Sequence, residues 1–323
     1  MKAVRIHQFG PTEEVLQYEE VPVPQPGTQE ILIKVEAASL NRADLGLRRG
    51  TYRVAPEDLP ITPGREFAGT VSALGVDARG FEVGQRVLAY LGKGGYAEYA
   101  LSKASLVRPI PSGVDSVTAA AVPTTFMTAW FALLEDAKLK SGDTILVQAG
   151  SSGVGNAAIQ IAKSRGARVI TTAGSEEKCQ RVLALGADLA INYAAKDFGP
   201  EVLSFTAGRG VDVVLEMIGG DVYNKSLQLL ASGGRLVSIG GAFGAIPEPP
   251  PALADGRKAT RFSITNYLAT HPEGLRQLDE FLNLIRAGTF KVIIGRAFPL
   301  AEARTAQRYL ESRDHFGKVV LVM

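Results

Sequence analysis

The residues best placed to do chemistry form a glycine-rich turn, Gly150-Ser151-Ser152-Gly153-Val154-Gly155. An apolar run at 145–147 precedes the turn, and a helical pattern with Ala158 and Ile161 on one face follows it. This order places a helix N-terminus, with its free N–H groups and positive dipole end, where it can bind a pyrophosphate. Glycines let the backbone turn sharply and approach the phosphates, although Ser152 stands where the usual fingerprint has its second glycine. The stretch predicts a dinucleotide-binding site.

Residues that bind metals are few in this chain. Cys179 is the only cysteine, so neither an internal disulfide nor a thiolate zinc cluster can form. The three histidines, His7, His271 and His315, show no ligand spacing. The sequence therefore predicts no metal site.

The chain contains a β-rich part and a part in which strands alternate with helices, and these elements must position the glycine-rich turn and the substrate site. The first hundred residues read as short strands bounded by glycines, at 2–7, 31–37, 67–74, 87–90 and 96–101, which is typical of an irregular barrel. An alanine-rich helical region at 116–139 breaks near Pro123. Strands near 145, 168, 189, 213 and 236 then alternate with helices, which predicts a parallel sheet. An amphipathic helix at 275–287 and a closing strand at 318–323 end the chain.

Length and composition restrict the class of protein. A chain of 323 residues with 46% hydrophobic and 21% charged residues has room for about two globular domains. A formal charge of +2 is too small to make nucleic acid or an anionic membrane the main partner. No apolar run is long enough to span a membrane, and the first residues lack the features of a signal peptide. We therefore expect a cytoplasmic protein.

Several segments carry a resemblance to a known family. In chain order they are SLNRADL at 39–45, PGREFAGTV at 63–71, GGYAEY at 94–99, AGSSGVGNAAIQIAK at 149–163, LGADLAINY at 185–193, VDVVLEMIGG at 211–220, SGGRLVSIGG at 232–241 and FGKVVL at 316–321. Together, and in the order of the family, they resemble the zinc-independent quinone oxidoreductase (zeta-crystallin-like) branch of the medium-chain dehydrogenase/reductase superfamily. The resemblance implies an α/β fold in which a Rossmann domain at 119–264 is inserted into a GroES-like β-barrel catalytic domain, made of 1–118 and 265–323.

The resemblance also bears on zinc, because zinc-dependent relatives hold a catalytic metal at positions that can be located here. Asn41 replaces the usual cysteine and Arg65 the usual histidine, while Glu66 fits a structural ion pair. A catalytic zinc needs about three protein ligands and an open position, so we expect none. Without a Lewis acid, the chemistry suits acceptors that spread negative charge themselves, such as quinones or alkenes conjugated to a carbonyl.

The end of the second Rossmann strand indicates which cofactor is used. An acidic residue about 20 positions after the glycine turn would bind the ribose hydroxyls of NAD, but 172–175 reads Thr-Ala-Gly-Ser. In the family, residues matching Gly174, Lys178 and Tyr193 surround the 2′-phosphate of NADPH, and we expect the backbone of Gly174 and Ser175 to help bind it. Lys178 alone also fits a solvated helix lysine. The resemblance therefore implies NADPH, held further by the 150–155 turn and by Gly219 and Gly240.

On the substrate side the resemblance implies three site residues. Asn41 lies where nicotinamide meets substrate, Tyr52 matches a pocket tyrosine, and Thr128 matches a residue near the nicotinamide. Each also fits a purely structural role: Asn41 as a turn former, Tyr52 as an aromatic side chain packed in a loop, and Thr128 as a hydroxyl on the face of a helix. Gly46 replaces a second family tyrosine, which predicts a wider or more adaptable cavity.

The sequence thus predicts an NADPH-dependent, zinc-independent quinone reductase. A 2-alkenal or enone reductase remains open because it needs the same hydride geometry. A non-catalytic role is also open, since relatives of this branch resemble a lens crystallin with RNA-binding behaviour, but the near-neutral charge disfavours RNA. We expect a homodimer formed through the Rossmann domains, because 240–266 contains an apolar–polar run at 262–265 that would be an exposed edge strand.

Overall fold

The computed structural model describes residues 1–52, 54–90, 94–240, 245–248 and 250–323. Within these ranges no helix is both long and apolar enough to cross a membrane. The strands, in chain order, are β1 (Lys2–Ile6), β2 (Leu16–Glu20), β3 (Glu30–Ser39), β4 (Glu66–Leu74), β5 (Arg86–Tyr90), β6 (Tyr99–Lys103), β7 (Val107–Pro109), β8 (Thr144–Val147), β9 (Arg168–Ala173), β10 (Leu189–Asn192), β11 (Val211–Glu216), β12 (Leu230–Ser238), β13 (Lys258–Arg261), β14 (Ile294–Pro299) and β15 (Lys318–Val322).

The helices lie between these strands along the chain. A π-helical segment, Phe131–Asp136, directly follows the third α-helix, Pro123–Trp130. Short 3₁₀ turns occur at Glu13–Val15, Pro56–Asp58, Ala104–Leu106, Pro272–Arg276 and Leu300–Glu302. The α-helices are α1 (Arg42–Arg48), α2 (Ser116–Ala120), α3 (Pro123–Trp130), α4 (Gly153–Ser164), α5 (Glu176–Ala184), α6 (Phe198–Phe205), α7 (Gly220–Gln228), α8 (Ile264–Thr270), α9 (Gln277–Arg286) and α10 (Ala303–Ser312).

The first of two compact units comprises Met1–Thr124 and Gly274–Met323. Its main sheet has the order β14-β15-β3-β4-β5-β7, and β6 also pairs with β3. Alternate residues of β3 point into the core, where Ile31, Ile33 and Val35 pack with Phe67 of β4. The last strand of the chain, β15, runs antiparallel to β3. The two ends of the chain thus share one sheet, as a GroES-like barrel built from both ends requires.

The second unit, Thr125–Glu273, contains a six-stranded parallel sheet with the order β10-β9-β8-β11-β12-β13. The strands are short apolar runs because helices cover such a sheet on both faces, and all four residues of β8 are buried. The strand order reverses between β8 and β11, which defines the switch point of a Rossmann fold. Ligands bind such sheets at the carboxyl ends of the strands, near this point.

The structure agrees with most of the predicted elements and corrects one of them. The two compact units divide after Thr124 and after Glu273, and the domain boundaries implied by the resemblance are 118/119 and 264/265. The predicted edge strand at 262–265 is wrong. Ser263 instead caps α8, accepting a hydrogen bond from the N–H of Asn266, and the edge strand is β13. Three of its four paired residues, Lys258, Thr260 and Arg261, are polar, which explains why hydrophobic alternation misses this strand.

Candidate functional site

The glycine-rich turn follows β8 and is held by the neighbouring strand β9. The N–H of Gly150 donates to the carbonyl of Thr172 at 2.9 Å, and the N–H of Ala149 donates to the Thr172 hydroxyl at 3.1 Å. From the helix side, the Asn156 amide donates to the Gly150 carbonyl at 2.6 Å. A side chain at position 150 would put its Cβ 2.1 Å from the Thr171 hydroxyl. Glycine is therefore required there by the packing of turn against strand.

Helix α4 begins within this stretch, at Gly153, and Ser152 is its N-cap. The Ser152 hydroxyl accepts the N–H of Gly155 at 3.0 Å, and its φ of −75° suits any residue. This explains why a serine can replace the second glycine of the fingerprint. At Gly155, by contrast, a Cβ would lie 2.3 Å from the Ala149 carbonyl oxygen. The first-turn N–H groups of Gly153 and Val154 have no partner within the helix and can bind an anion.

The second strand, β9, ends beside a cluster of hydrogen-bond donors. Ser175 caps α5 and accepts the Lys178 N–H, while the half-buried Lys178 side chain lies in the first turn. Tyr193 follows β10 and is 49% exposed, and a Cβ at Gly174 would lie 2.8 Å from its hydroxyl. The structure thus brings Gly174, Ser175, Lys178 and Tyr193 to one edge of the sheet.

This donor set fits a dinucleotide that carries an additional phosphate. The cluster holds an ammonium and two hydroxyls, which are the groups that bind phosphate oxygens. Two carboxylates, Glu176 and Glu177, start α5, but Glu176 accepts from Gln180 and Glu177 pairs with Arg181. Gly219 and Gly240 follow β11 and β12 at the same edge, both with a φ of 86°. Such φ values favour glycine, and a Cβ at Gly240 would meet nothing within 4 Å.

In the other unit, Asn41 is the N-cap of α1, and its side chain belongs to a polar network. The Asn41 Nδ2 donates to Glu66 Oε1 at 2.8 Å, and Asn41 Oδ1 accepts from Lys318 Nζ at 2.9 Å. Lys318 Nζ also donates to Glu66 Oε1 at 2.9 Å. Glu66 is fully buried and Lys318 is 6% exposed, whereas Asn41 is partly accessible. Glu66 therefore forms the expected ion pair, with a lysine from the end of the chain as its partner.

A buried carboxylate lies behind Asn41. Asp44 Oδ2 accepts the Asn41 backbone N–H at 2.8 Å and the Tyr96 hydroxyl at 3.1 Å. Burial raises the pKa of Asp44 to about 6, although these hydrogen bonds and the charges of Arg65 and Lys318 act in the opposite direction. Burial also raises the pKa of Tyr96, as does the nearby Asp44 carboxylate. Asp44 thus holds the start of α1, and with it the backbone of Asn41.

Tyr52 and Arg65 form a second pair in this unit. Arg65 Nη1 donates to the Tyr52 hydroxyl at 2.8 Å, and its guanidinium lies 5.5 Å from the centre of the tyrosine ring. A Cβ at Gly46 would gain a contact of 2.9 Å with the Tyr52 Cβ, a distance that real Cβ atoms do not reach. Gly46 therefore admits the close packing of Tyr52 beside α1. Thr128 belongs to the second unit, where it is buried on α3.

Sequence reasoning missed the partners of Asn41. Lys318 was visible as the charged residue that opens an otherwise apolar strand in FGKVVL, and a buried lysine needs a partner. Asp44 and Tyr96 gave no comparable signal. Within the described ranges, no three His, Cys, Asp or Glu side chains come close enough to hold a metal ion.

Comparisons with known proteins match the whole chain. The family described as "Alcohol dehydrogenase GroES-like domain" matches residues 27–112, and that described as "Zinc-binding dehydrogenase" matches residues 185–321. The quinone oxidoreductase of Rattus norvegicus is 33% identical, with 100% of this chain and 98% of the relative covered. A structure of Escherichia coli quinone oxidoreductase complexed with NADPH is 30% identical over 100% of both chains, with a TM-score of 0.93. CurK enoyl reductase is 30% identical, with a TM-score of 0.89 over 100% of this chain and 99% of that one.

Proposed function

The chain belongs to the zinc-independent quinone oxidoreductase branch of the medium-chain dehydrogenase/reductase superfamily, and from this premise we propose that it reduces quinones with NADPH. It is an oxidoreductase with the fold of that superfamily. The observation that carries the specific proposal is that the chain contains two sites, one in each unit. One is a dinucleotide edge with donors for an additional phosphate, and the other is a partly accessible amide held between a lysine and a glutamate.

At the dinucleotide edge, the α4 N-terminus holds the pyrophosphate, and the Lys178 cluster holds the 2′-phosphate. The structure of the Escherichia coli relative is a complex with NADPH, which supports the same cofactor here. When bound, NADPH supplies the hydride. Lys178 acts on the phosphate as a point charge, while Ser175 and Tyr193 add hydroxyl donors.

At the substrate site of the first unit, Asn41 and Tyr52 are the proposed contacts, and Thr128, in the second unit, is the proposed residue near the nicotinamide. A quinone that accepts a hydride becomes a hydroquinone monoanion, and one proton from solvent completes the reduction. The developing oxyanion requires hydrogen-bond donors that are already in place, because reorganising them during the reaction would cost free energy. Asn41 provides an N–H donor, and Tyr52 provides a hydroxyl that Arg65 orients. Asn41 and Arg65 occupy the zinc-ligand positions of other family members, so we expect full activity after chelation.

An alternative acceptor is an alkene conjugated to a carbonyl. CurK enoyl reductase shares the fold at a TM-score of 0.89, and its name describes such a reduction. The same donors would hold an enolate oxygen as well as a hydroquinone oxygen.

Oxidation of NADPH with a panel of quinones and enones tests the proposal. We expect turnover of quinones to exceed that of enones, with and without a chelator. Enone reduction without quinone turnover would move the assignment to the alternative, and no NADPH oxidation with either class would contradict both.

We also propose that the chain forms a homodimer. Among the described residues, β13 pairs only with β12, so its outer edge can accept another strand. Sedimentation at micromolar concentration should show twice the chain mass of 34.3 kDa. A species of the single-chain mass alone would contradict this.

A further inference from the structure

The ammonium of Lys318 has all three of its hydrogen-bond donors in use. It donates to the Leu40 carbonyl at 2.7 Å, and to Asn41 Oδ1 and Glu66 Oε1 at 2.9 Å each. An ammonium has three donors and no acceptor, so Lys318 is fully satisfied by protein groups. Its role is therefore directed at these neighbours, and substrate does not need to contact it.

Glu66 is arranged in the complementary way. Its Oε1 accepts from Asn41 and Lys318, and its Oε2 accepts the backbone N–H of Thr124 at 2.7 Å. The carboxylate is fully buried, and each oxygen has a donor. A carboxylate cannot donate when ionised, so only the nitrogen of the Asn41 amide can face it.

These two charges determine which way round the Asn41 amide lies. Its oxygen must face the ammonium of Lys318, and its nitrogen must face the carboxylate of Glu66. One N–H of the amide remains after the bond to Glu66, and Asn41 is the partly accessible member of the network. The backbone N–H of Asn41 is also held, by Asp44.

We propose that Lys318 and Glu66 are positioning residues that hold the Asn41 amide with its second N–H toward the carbonyl oxygen of the substrate. The inference rests on the proposed function, and it deepens that function by assigning the orientation of one donor. A donor that is already held in this orientation needs no reorganisation when negative charge develops on the substrate oxygen. The site would thus select acceptors whose negative charge develops on an oxygen.

The test replaces both charges together, as Lys318→Met with Glu66→Gln. In this double variant the new amide at position 66 can accept the Thr124 N–H with its oxygen, which leaves its nitrogen facing Asn41 and favours an inverted Asn41 amide. We expect kcat for quinone to fall about ten- to a hundredfold, because one oriented donor to an oxyanion is worth about a hundredfold or more. The KM for NADPH should stay within about twofold. The matched control is Arg48→Met with Glu311→Gln, which removes another pair with a fully buried cation in the same unit. It should keep wild-type kcat.

A mutant cycle that combines Asn41→Ala with the Lys318→Met/Glu66→Gln double variant separates a positioning role from a purely structural one. If Lys318 and Glu66 act through Asn41, the triple variant should match Asn41→Ala within about twofold, because the donor is already absent. Losses that multiply in the triple variant would overturn the inference. So would wild-type kcat in a folded double variant, or an equal loss of kcat in the Arg48/Glu311 control.

Failure of the proposed function is recognised separately. If the wild type oxidises no NADPH with any acceptor, the proposed function fails, and NMR of the Asn41 side-chain amide then decides the inference. A hydrogen-bonded amide in the wild type whose two proton shifts change in the double variant supports positioning. Unchanged shifts overturn it. If quinone turnover is normal in both wild type and Asn41→Ala, the inference alone fails.

Discussion

The two candidate binding regions of this protein are built in opposite ways. In the Rossmann unit, the turn and the helix N-terminus come from one stretch of chain, β8 to α4, and present backbone N–H groups. In the other unit, the network joins side chains that are 25 and 252 positions apart, Asn41 to Glu66 and Glu66 to Lys318. Cofactor binding at the first region should weaken when a Cβ is added to one of its glycines, and it should change little when one side chain is replaced by another. The second should depend on the identity and charge of each side chain.

The largest effect should come from removing one charge of the buried pair. Lys318→Met leaves the Glu66 carboxylate buried without its cation, and breaking such a pair costs about 3–5 kcal/mol of unfolding free energy. Denaturant unfolding measures this, and Glu66→Gln added to Lys318→Met should recover at least half. Lys163→Met is the control in the Rossmann unit, because the Lys163–Asp188 pair is one-third exposed on both sides. It should cost less than about 1 kcal/mol. Equal costs for the two lysines would remove the contrast between the regions.

The next effect tests the backbone-built region. Gly155→Ala puts a Cβ 2.3 Å from the Ala149 carbonyl oxygen and 2.7 Å from the Gly150 Cα, so the turn must open. We expect the affinity for NADPH to fall at least about a hundredfold, or about 2.7 kcal/mol, as measured by titration. Ser152→Gly is the control, since it removes a cap whose loss to glycine costs only a few tenths of a kcal/mol. Retained affinity in Gly155→Ala, or an equal loss in Ser152→Gly, would count against a site made by the backbone.

A smaller effect concerns the one place in the Rossmann unit where a side chain should matter. A hydrogen bond to a charged group contributes about 1.5–3 kcal/mol, so Lys178→Ala should weaken NADPH about ten- to a hundredfold and leave NADH nearly unchanged. Gly174→Asp should shift the preference toward NADH, with the exposed Tyr193 hydroxyl moving aside for the new Cβ.

Lys196→Ala is the matched control for Lys178→Ala, because it removes a positive charge that is near the cofactor edge but is not proposed to contact the 2′-phosphate. Lys196 lies three residues after Tyr193, is 64% exposed and pairs with Glu201. Its loss should change neither cofactor by more than about twofold. If Lys178→Ala weakened both cofactors alike, Lys178 would not bind the 2′-phosphate.

The same contrast explains what could be predicted from the sequence. The β8–turn–α4–β9 unit was predictable because its strands, turn and helix are specified by neighbouring residues. The partners of Asn41 were not, because only the tertiary fold brings Lys318 of β15 beside β4. The edge strand predicted at 262–265 is wrong because the prediction followed the apolar–polar alternation there. The helix-start signal in the same stretch is Ser263, the N-cap of α8, which lies three positions before Asn266. The roles of the site residues remain predictions that the variants above test.

The smallest effect is a pH dependence of the unfolding free energy. It should arise in the unit built from side chains, because the Asp44 carboxyl group, which titrates, accepts the backbone N–H of Asn41. Asp44 is fully buried, and its Oδ1 has no hydrogen-bond partner among the described residues. Its pKa is raised to about 6, against about 3.9 in an unfolded chain. Between these values the folded protein keeps a proton that the unfolded chain has lost, so this group makes the protein less stable as pH rises. Asp44→Asn keeps the shape and still accepts from Asn41 and Tyr96, but it does not titrate.

The unfolding free energy of Asp44→Asn relative to wild type should therefore increase by about 2 kcal/mol between pH 4.5 and pH 6.5, since one pKa unit corresponds to about 1.4 kcal/mol. Denaturant unfolding at both pH values measures the difference directly. Asp77→Asn is the control, because Asp77 is exposed with a φ of 61°, which asparagine adopts readily. This exposed substitution should stay within about 0.5 kcal/mol of wild type at both pH values. A difference for Asp44→Asn that is independent of pH would show that Asp44 is ionised throughout this range, and that the charges of Lys318 and Arg65 outweigh its burial.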